Sequence, residues 1–245
     1  MSEAKGMIKN MKKRVKFSGL CALTLTFSLL LGLFYGDCSK VYGHEVYQDK
    51  KIRFSTANLN AYGMPDIKVY VATTVTAQWY LNNYSTAISN WNVKCGSGYV
   101  TAREVKNIDD ANVHLMCDEY LWEEAGMDSN TFGFTAWQDT NFNSILQYKD
   151  IVGSSVKVRR AMVILNKNSS WVMLNTTDTT IRNNRAIKTI VHEIGHAIGL
   201  GHPDRDSYDP ISSTTYSVMR QGYPDKKKTG TTPRTHDTDD INFMY

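Results

Sequence analysis

The sequence predicts an α/β (α+β) domain: a mixed sheet with helices packed on it. Three observations carry this. Strand-period stretches at 67–71 and 113–117 flank a segment of helical period at 77–91. A second long helical segment, 181–200, follows the last apolar strand. The composition is also ordinary for a globular protein, at 42% hydrophobic and 21% charged with 5 Pro and 16 Gly. It excludes collagen, low-complexity disorder and a polytopic membrane protein.

The elements follow in chain order. Residues 44–65 are polar and mixed, and read as a loose N-terminal segment before a body at 66–245. Ile67, Val69 and Val71 alternate with Lys68 and Tyr70, the period of a strand. Ala77, Tyr80, Leu81, Tyr84, Ala87, Ile88 and Trp91 recur every three or four residues, one face of an amphipathic helix. A second strand is expected at 99–105, and a third where Val113, Leu115 and Cys117 alternate with His114 and Met116. The β-prone, aromatic stretch 131–137 reads as an edge strand within an otherwise loop-like region between 118 and 158. Residues 161–166, bounded by Arg160 and Lys167, form a short apolar run of buried-strand length. Ile187, Val191, Ile194 and Ile198 make the stripe of the second long helix. Asp178 or Thr179 caps its start, and Gly199 and Gly201 mark its end. Turns lead to a short helix at 237–244.

The formal net charge of +4 is unevenly placed. Residues 1–43 hold seven Lys/Arg and two Asp/Glu, whereas the remaining 202 residues hold 21 and 22. A body with a net charge of −1 lacks the basic surplus of a nucleic-acid binder. The surplus belongs to a leader: Lys9, Lys12, Lys13, Arg14 and Lys16 precede an apolar run at 19–36, the plan of a secretory signal. Val41-Tyr42-Gly43 offers a cleavage site that would start the mature chain at His44. The alternative is an uncleaved anchor, the one case in which a membrane would be a partner. Export agrees with the cysteines, since Cys95 and Cys117 remain as an even pair in the body. They are expected to form one disulfide, the alternative being two buried free thiols.

The chemistry lies in the second helix. His192-Glu193-Ile194-Gly195-His196 places two imidazoles four residues apart, on one helical face, where they can share a metal. Neutral imidazoles suit zinc. Glu193 adjoins the first ligand, where its carboxylate can reach a bound water. Gly199 breaks the helix and lets His202 swing back as a third ligand, leaving a fourth position open, the arrangement of a catalytic zinc. By chance, H-E-x-x-H is expected in roughly four of a thousand chains of this composition, and the five-part pattern in about several per million. The pattern is therefore not an ordinary polar helix face.

The run from His192 to Pro203 resembles the metzincin zinc endopeptidases, whose signature is H-E-x-x-H-x-x-G-x-x-H followed by a Met-turn. Tyr216-Ser217-Val218-Met219 is the Met-turn candidate, and the resemblance places Met219 beneath the metal as an apolar floor. His202-Pro203 and Ser-Val-Met are similar to serralysins, although Gln221 stands where serralysins carry a Tyr. Tyr223, four residues after Met219, matches matrixins, where it walls a substrate pocket, and Asp239-Asp240-Ile241 resembles the start of their C-terminal helix. The resemblance implies a mixed, mostly parallel five-stranded sheet with an active-site helix, a Met-turn and a C-terminal helix. It further implies a secreted, monomeric endopeptidase acting on protein or peptide substrates. Zn2+ would be the cofactor, with His192, His196 and His202 as ligands and Glu193 as general base. Residues 131–137 would bind substrate as an added antiparallel strand. The competing class is a non-catalytic zinc-binding or adhesion module on the same scaffold.

Some family features are missing. Tyr62 occupies the place of the matrixin switch cysteine in Tyr62-Gly63-Met64-Pro65-Asp66, and 44–65 is too short for a folded propeptide. His44, His114 and His236 are too scattered for a second zinc site, and His114 reads as a packed strand residue. The loop 139–143 offers either a Ca2+ site or solvated turn residues, and Lys226-Lys227-Lys228 reads as an exposed loop.

Overall fold

The computed structural model describes residues 52–118, 131–145, 156–167, 177–202, 217–220 and 230–245, all within the unit Tyr42–Tyr245. The leader, Tyr223 and Lys226-Lys227-Lys228 lie outside the described residues. Among those described, no helix is long and apolar enough to cross a membrane.

The architecture is a mixed, mainly parallel sheet with helices packed on it. The strands are β1 (Ile52–Phe54), β2 (Asp66–Val71), β3 (Lys94–Cys95), β4 (Gly98–Tyr99), β5 (Thr101–Val105), β6 (Val113–Asp118), β7 (Gly133–Asp139), β8 (Ser144–Ile145) and β9 (Val156–Asn166). The main sheet runs β5-β2-β6-β9-β7-β8, and β1 also pairs with β9. All its pairings are parallel except β7 with β9 and β7 with β8. Strand β9 is the longest at 11 residues, and every side chain from Ala161 to Asn166 is buried. That burial is what a central parallel strand covered by helices requires. The small hairpin β3–β4 stands apart from the main sheet.

Among the described residues the main sheet has seven strands where five are expected, and both additions are short. Strand β1 pairs Ile52, Arg53 and Phe54 with Val156, Lys157 and Val158, beyond the point where β6 leaves the same edge of β9. Ile52 and Phe54 are 3% and 1% exposed, so β1 anchors in the core the segment expected to be loose. Asn58 secures it further, donating to the carbonyls of Val158 and Arg159. Strand β8 is a two-residue return of β7.

The helix expected over 77–91 divides into α1 (Gln78–Leu81) and α2 (Tyr84–Ser89). Asn83 causes the break: its side chain donates to Trp79 O at 2.7 Å and to Asn183 Oδ1 at 3.1 Å, and its φ is −127°. A side-chain amide that satisfies the backbone locally competes with the helix ladder. The apolar stripe survives, with Tyr80, Ala87, Ile88 and Trp91 buried. Two longer helices follow, α3 (Thr179–Ala197) and α4 (Thr235–Met244). Asp178 caps α3, accepting from the amides of Thr180 and Ile181.

The expected disulfide is not formed: Cys95 and Cys117 are free and buried. Topology separates them. Cys95 lies in the β3–β4 hairpin beside Val100 and is influenced by Asp239 of α4. Cys117 lies in a central strand, against the backbone of Thr76 and Ala77. Burial pushes the Cys95 thiol up to about 11 and the Cys117 thiol up to about 12.

Candidate metal centre

The end of α3 builds the site. Gly199 adopts φ +101°, Leu200 N–H donates to Gly195 O, and Gly199 N–H donates to His196 O. These two bonds close a Schellman motif, which needs a residue free to enter the left-handed region. A Cβ at Gly199 would also collide with Ile52 O of β1. The reversed chain then delivers Leu200 O to His196 Nδ1 at 2.7 Å and brings His202 back over the helix.

The three imidazoles converge. Nε2 of His192 and Nε2 of His196 are 3.2 Å apart, and each lies 3.0 Å from Nε2 of His202. His192 Nδ1 faces Val218 O at 2.9 Å. A carbonyl only accepts, so in both helix histidines Nδ1 carries the proton and Nε2 presents a lone pair. Both rings are neutral. Burial holds His192 well below the usual histidine range, helped by the neighbouring His196, Lys188 and His202. Burial takes His196 down to about 4. Lone pairs facing one another across 3.2 Å repel unless a cation lies between them. Tetrahedral bonding to a metal with N ligands at about 2.0–2.1 Å sets N···N near 3.3 Å, so the cluster fits a metal with little adjustment. The backbone acceptors on both Nδ1 atoms fix tautomer and ring orientation, the outer-shell arrangement that metal-bound histidines require.

No protein-family model matches the chain, and no curated protein matches it. The assignment of the site therefore rests on its own geometry. Among the described residues, His192, His196 and His202 form the one group of three or more ligand-bearing side chains able to hold a metal ion. The loop at 139–143 is a hydrogen-bonded turn. Asp139 accepts from the amides of Asn141 and Asn143 and from Asn143 Nδ2. His114 is a packed strand residue, 6% exposed, with Nε2 3.3 Å from Ile108 O.

Glu193 lies beside the histidines and is 5% exposed. Burial pushes its carboxyl up to about 7, opposed by a hydrogen bond from Thr135 and by the charge of Lys188. Thr135, on β7, places its hydroxyl 2.9 Å from Glu193 Oε2 and 2.8 Å from Glu193 O. Trp137 Nε1, two residues along the same strand, donates to His196 O at 2.9 Å. Strand β7 is thus fastened to the helix at both the carboxylate and the second histidine.

Beneath the helix lies the Ser217–Arg220 turn. Met219 is 2% exposed, and a Cβ at Gly195 would strike its sulfur and the Trp91 ring. Only glycine at 195 lets Met219 approach this closely. Asp237 of α4 accepts from Ser217 Oγ, Val218 N and Arg234 N. It therefore fixes the turn whose Val218 carbonyl orients His192. Lys188 Nζ donates to Arg220 O at 2.7 Å from one helical turn before His192, and burial lowers its ammonium to about 8.

Sequence reasoning missed Thr135, Asp237 and Lys188. Lys188 carried a signal, being a charge beside Ile187 and four residues before His192, on that histidine's face. Thr135 and Asp237 carried none, since their roles depend on partners 58 and 20 residues away.

Proposed function

We propose that this protein is a secreted zinc endopeptidase of the metzincin type that hydrolyses internal peptide bonds of proteins or peptides. The observation that carries this reading is the convergence of three imidazole nitrogens next to a buried carboxyl that is not one of the ligands. The choice of zinc rests on the all-nitrogen donor set with room for a fourth ligand. Zinc bound there would polarise the scissile carbonyl and lower the pKa of its water towards about 7.

The chain's own residues do the rest. Glu193 takes the proton of the attacking water and passes it to the leaving amine. A carboxyl raised to about 7 suits that double role near neutral pH. The substrate lies along β7. That strand pairs with β9 on one side, and on the other it meets β8 only at Trp137 and Gln138. Among the described residues this leaves an open edge at 133–136 for an extended peptide. Met219 serves as the Met-turn floor. Secretion follows from the leader, a monomer is the working state, and nucleic acid is not a partner.

The test is cleavage of a mixed peptide library by protein starting at His44, with and without a chelator, alongside Glu193→Gln. General-base catalysis contributes about 10²–10⁴-fold, so the variant should lose at least that much activity while keeping its metal. Wild-type rates in the zinc-loaded variant would overturn the mechanism. Wild-type protein that binds zinc and cleaves nothing would leave the binding or adhesion module instead.

A further inference from the structure

The turn that carries His202 is held by two segments from opposite ends of the described chain. Tyr245, one residue beyond α4, places its hydroxyl between β1 and the end of α3. The oxygen accepts from Phe54 N at 2.8 Å and donates to Ile198 O at 2.7 Å. Ile198 is the C-cap of α3, and its carbonyl is one of those a helix end leaves without an intrahelical partner. On the next residue, Ile52 O of β1 packs against Gly199 so closely that no side chain fits. Strand β1 is itself fixed by its pairing with Val156, Lys157 and Val158 of β9.

A single phenol thus ties the N-terminal strand to the peptide that starts the reversal towards His202. His192 does not depend on this contact. It is oriented by Val218 O, and His196 sits on the regular helix and takes only its Nδ1 acceptor, Leu200 O, from the reversal. His202 lies past the helix end, so its position depends on the reversal.

We infer that Tyr245 is a positioning residue for the third metal ligand, acting through the Ile198–Gly199 peptide to set where His202 stands. The inference rests on the three-histidine metal reading and does not require that the protein be a protease.

The test is zinc affinity, measured by competition with a chromogenic chelator in four full-length proteins: wild type, Tyr245→Phe, His202→Ala and the double variant. Loss of an outer contact of this kind should raise the zinc dissociation constant about tenfold or more in Tyr245→Phe. In the His202→Ala background the same substitution should have a much smaller effect, because the ligand it positions is gone and only the Leu200 O contact to His196 remains beyond the reversal. Equal weakening in both backgrounds would mark a merely structural residue and overturn the inference, as would unchanged affinity in Tyr245→Phe. Failure of the wild type to bind zinc would overturn the metal reading itself. A second measurement needs no variant: hydrogen exchange of the Phe54 amide in wild type with and without zinc. Zinc should slow that amide more than the Val69 amide of β2, and equal slowing at both would refute the coupling.

Discussion

The Thr135 hydroxyl meets Glu193 twice, at the side-chain Oε2 and at the main-chain oxygen of the same residue. One side chain of the edge strand therefore sets both the backbone and the carboxylate of the residue proposed as general base. Hydrogen bonds to charged groups contribute about 1.5–3 kcal/mol. Thr135→Val, which keeps the shape and removes the hydroxyl, should lower kcat about tenfold or more with zinc content unchanged. Thr135→Ser should restore most of it. A Thr135→Val enzyme with wild-type kcat would show that Glu193 needs no such support.

The metal centre should depend unequally on its members. Removing His202 leaves two helix imidazoles already oriented by backbone carbonyls, so His202→Ala should bind zinc weakly rather than not at all. The double substitution His192→Ala/His196→Ala should abolish binding. Metal analysis of protein purified without chelator reads both outcomes, and stoichiometric zinc in the double variant would move the site elsewhere.

Residues whose role is decided locally were legible in the sequence, and those decided by distant partners were not. Helix α3 combines a cap at Asp178, an apolar stripe and a glycine stop, all within about two dozen residues, so pattern and structure agree. The same holds for the three histidines, whose spacing alone puts two on one helical face and the third on its return turn, and for Glu193 as the neighbour of the first. Strand β1 escaped because Ile52-Arg53-Phe54 is too short for a period and gains its place only from β9, about 100 residues on. The split at Asn82-Asn83 had a local sign, two adjacent asparagines, but the apolar period across it is continuous. The cysteines show the limit of counting: an even pair says nothing about whether two strands bring the sulfurs together.

Gly195 and Met219 should prove energetically coupled. Adding a methyl at 195 drives it into the buried Met219 sulfur and crowds the Trp91 ring, and overpacking of this kind costs about 1–3 kcal/mol. Gly195→Ala should therefore lower the urea midpoint in wild-type background and lower it far less in Met219→Ala. Additive losses across that double-mutant cycle would mean that the two do not touch in solution.

The thiols should behave as buried groups rather than as a bond. Protein starting at His44 should show no reaction with a thiol reagent while folded, because burial raises both thiols far above neutral pH. Denatured without reductant, it should titrate both Cys95 and Cys117. Absence of free thiol after denaturation would restore the disulfide.

His114 should make the domain acid-sensitive independently of the metal. Its ring is 6% exposed in β6, and burial takes it down to about 4, with Arg160 adding to the shift and Ile108 O and Asp109 opposing it. Well above pH 6.5 the ring is neutral in the folded and unfolded chains alike and contributes nothing to pH dependence. As pH falls from 6.5 towards 4, the unfolded chain takes up the proton while the folded one does not, and stability drops. Between pH 7 and 4.5 that linkage amounts to roughly 2.5 kcal/mol. In His114→Leu the linkage disappears, whatever fixed cost the substitution carries from the lost contact with Ile108 O. The comparison belongs in chelator, so that protonation of His192, His196 and His202 does not add metal release to one end of the range. Urea unfolding at the two pH values should then show a smaller acid loss in His114→Leu than in wild type. An equal loss in both proteins would mean that His114 is protonated in the folded state.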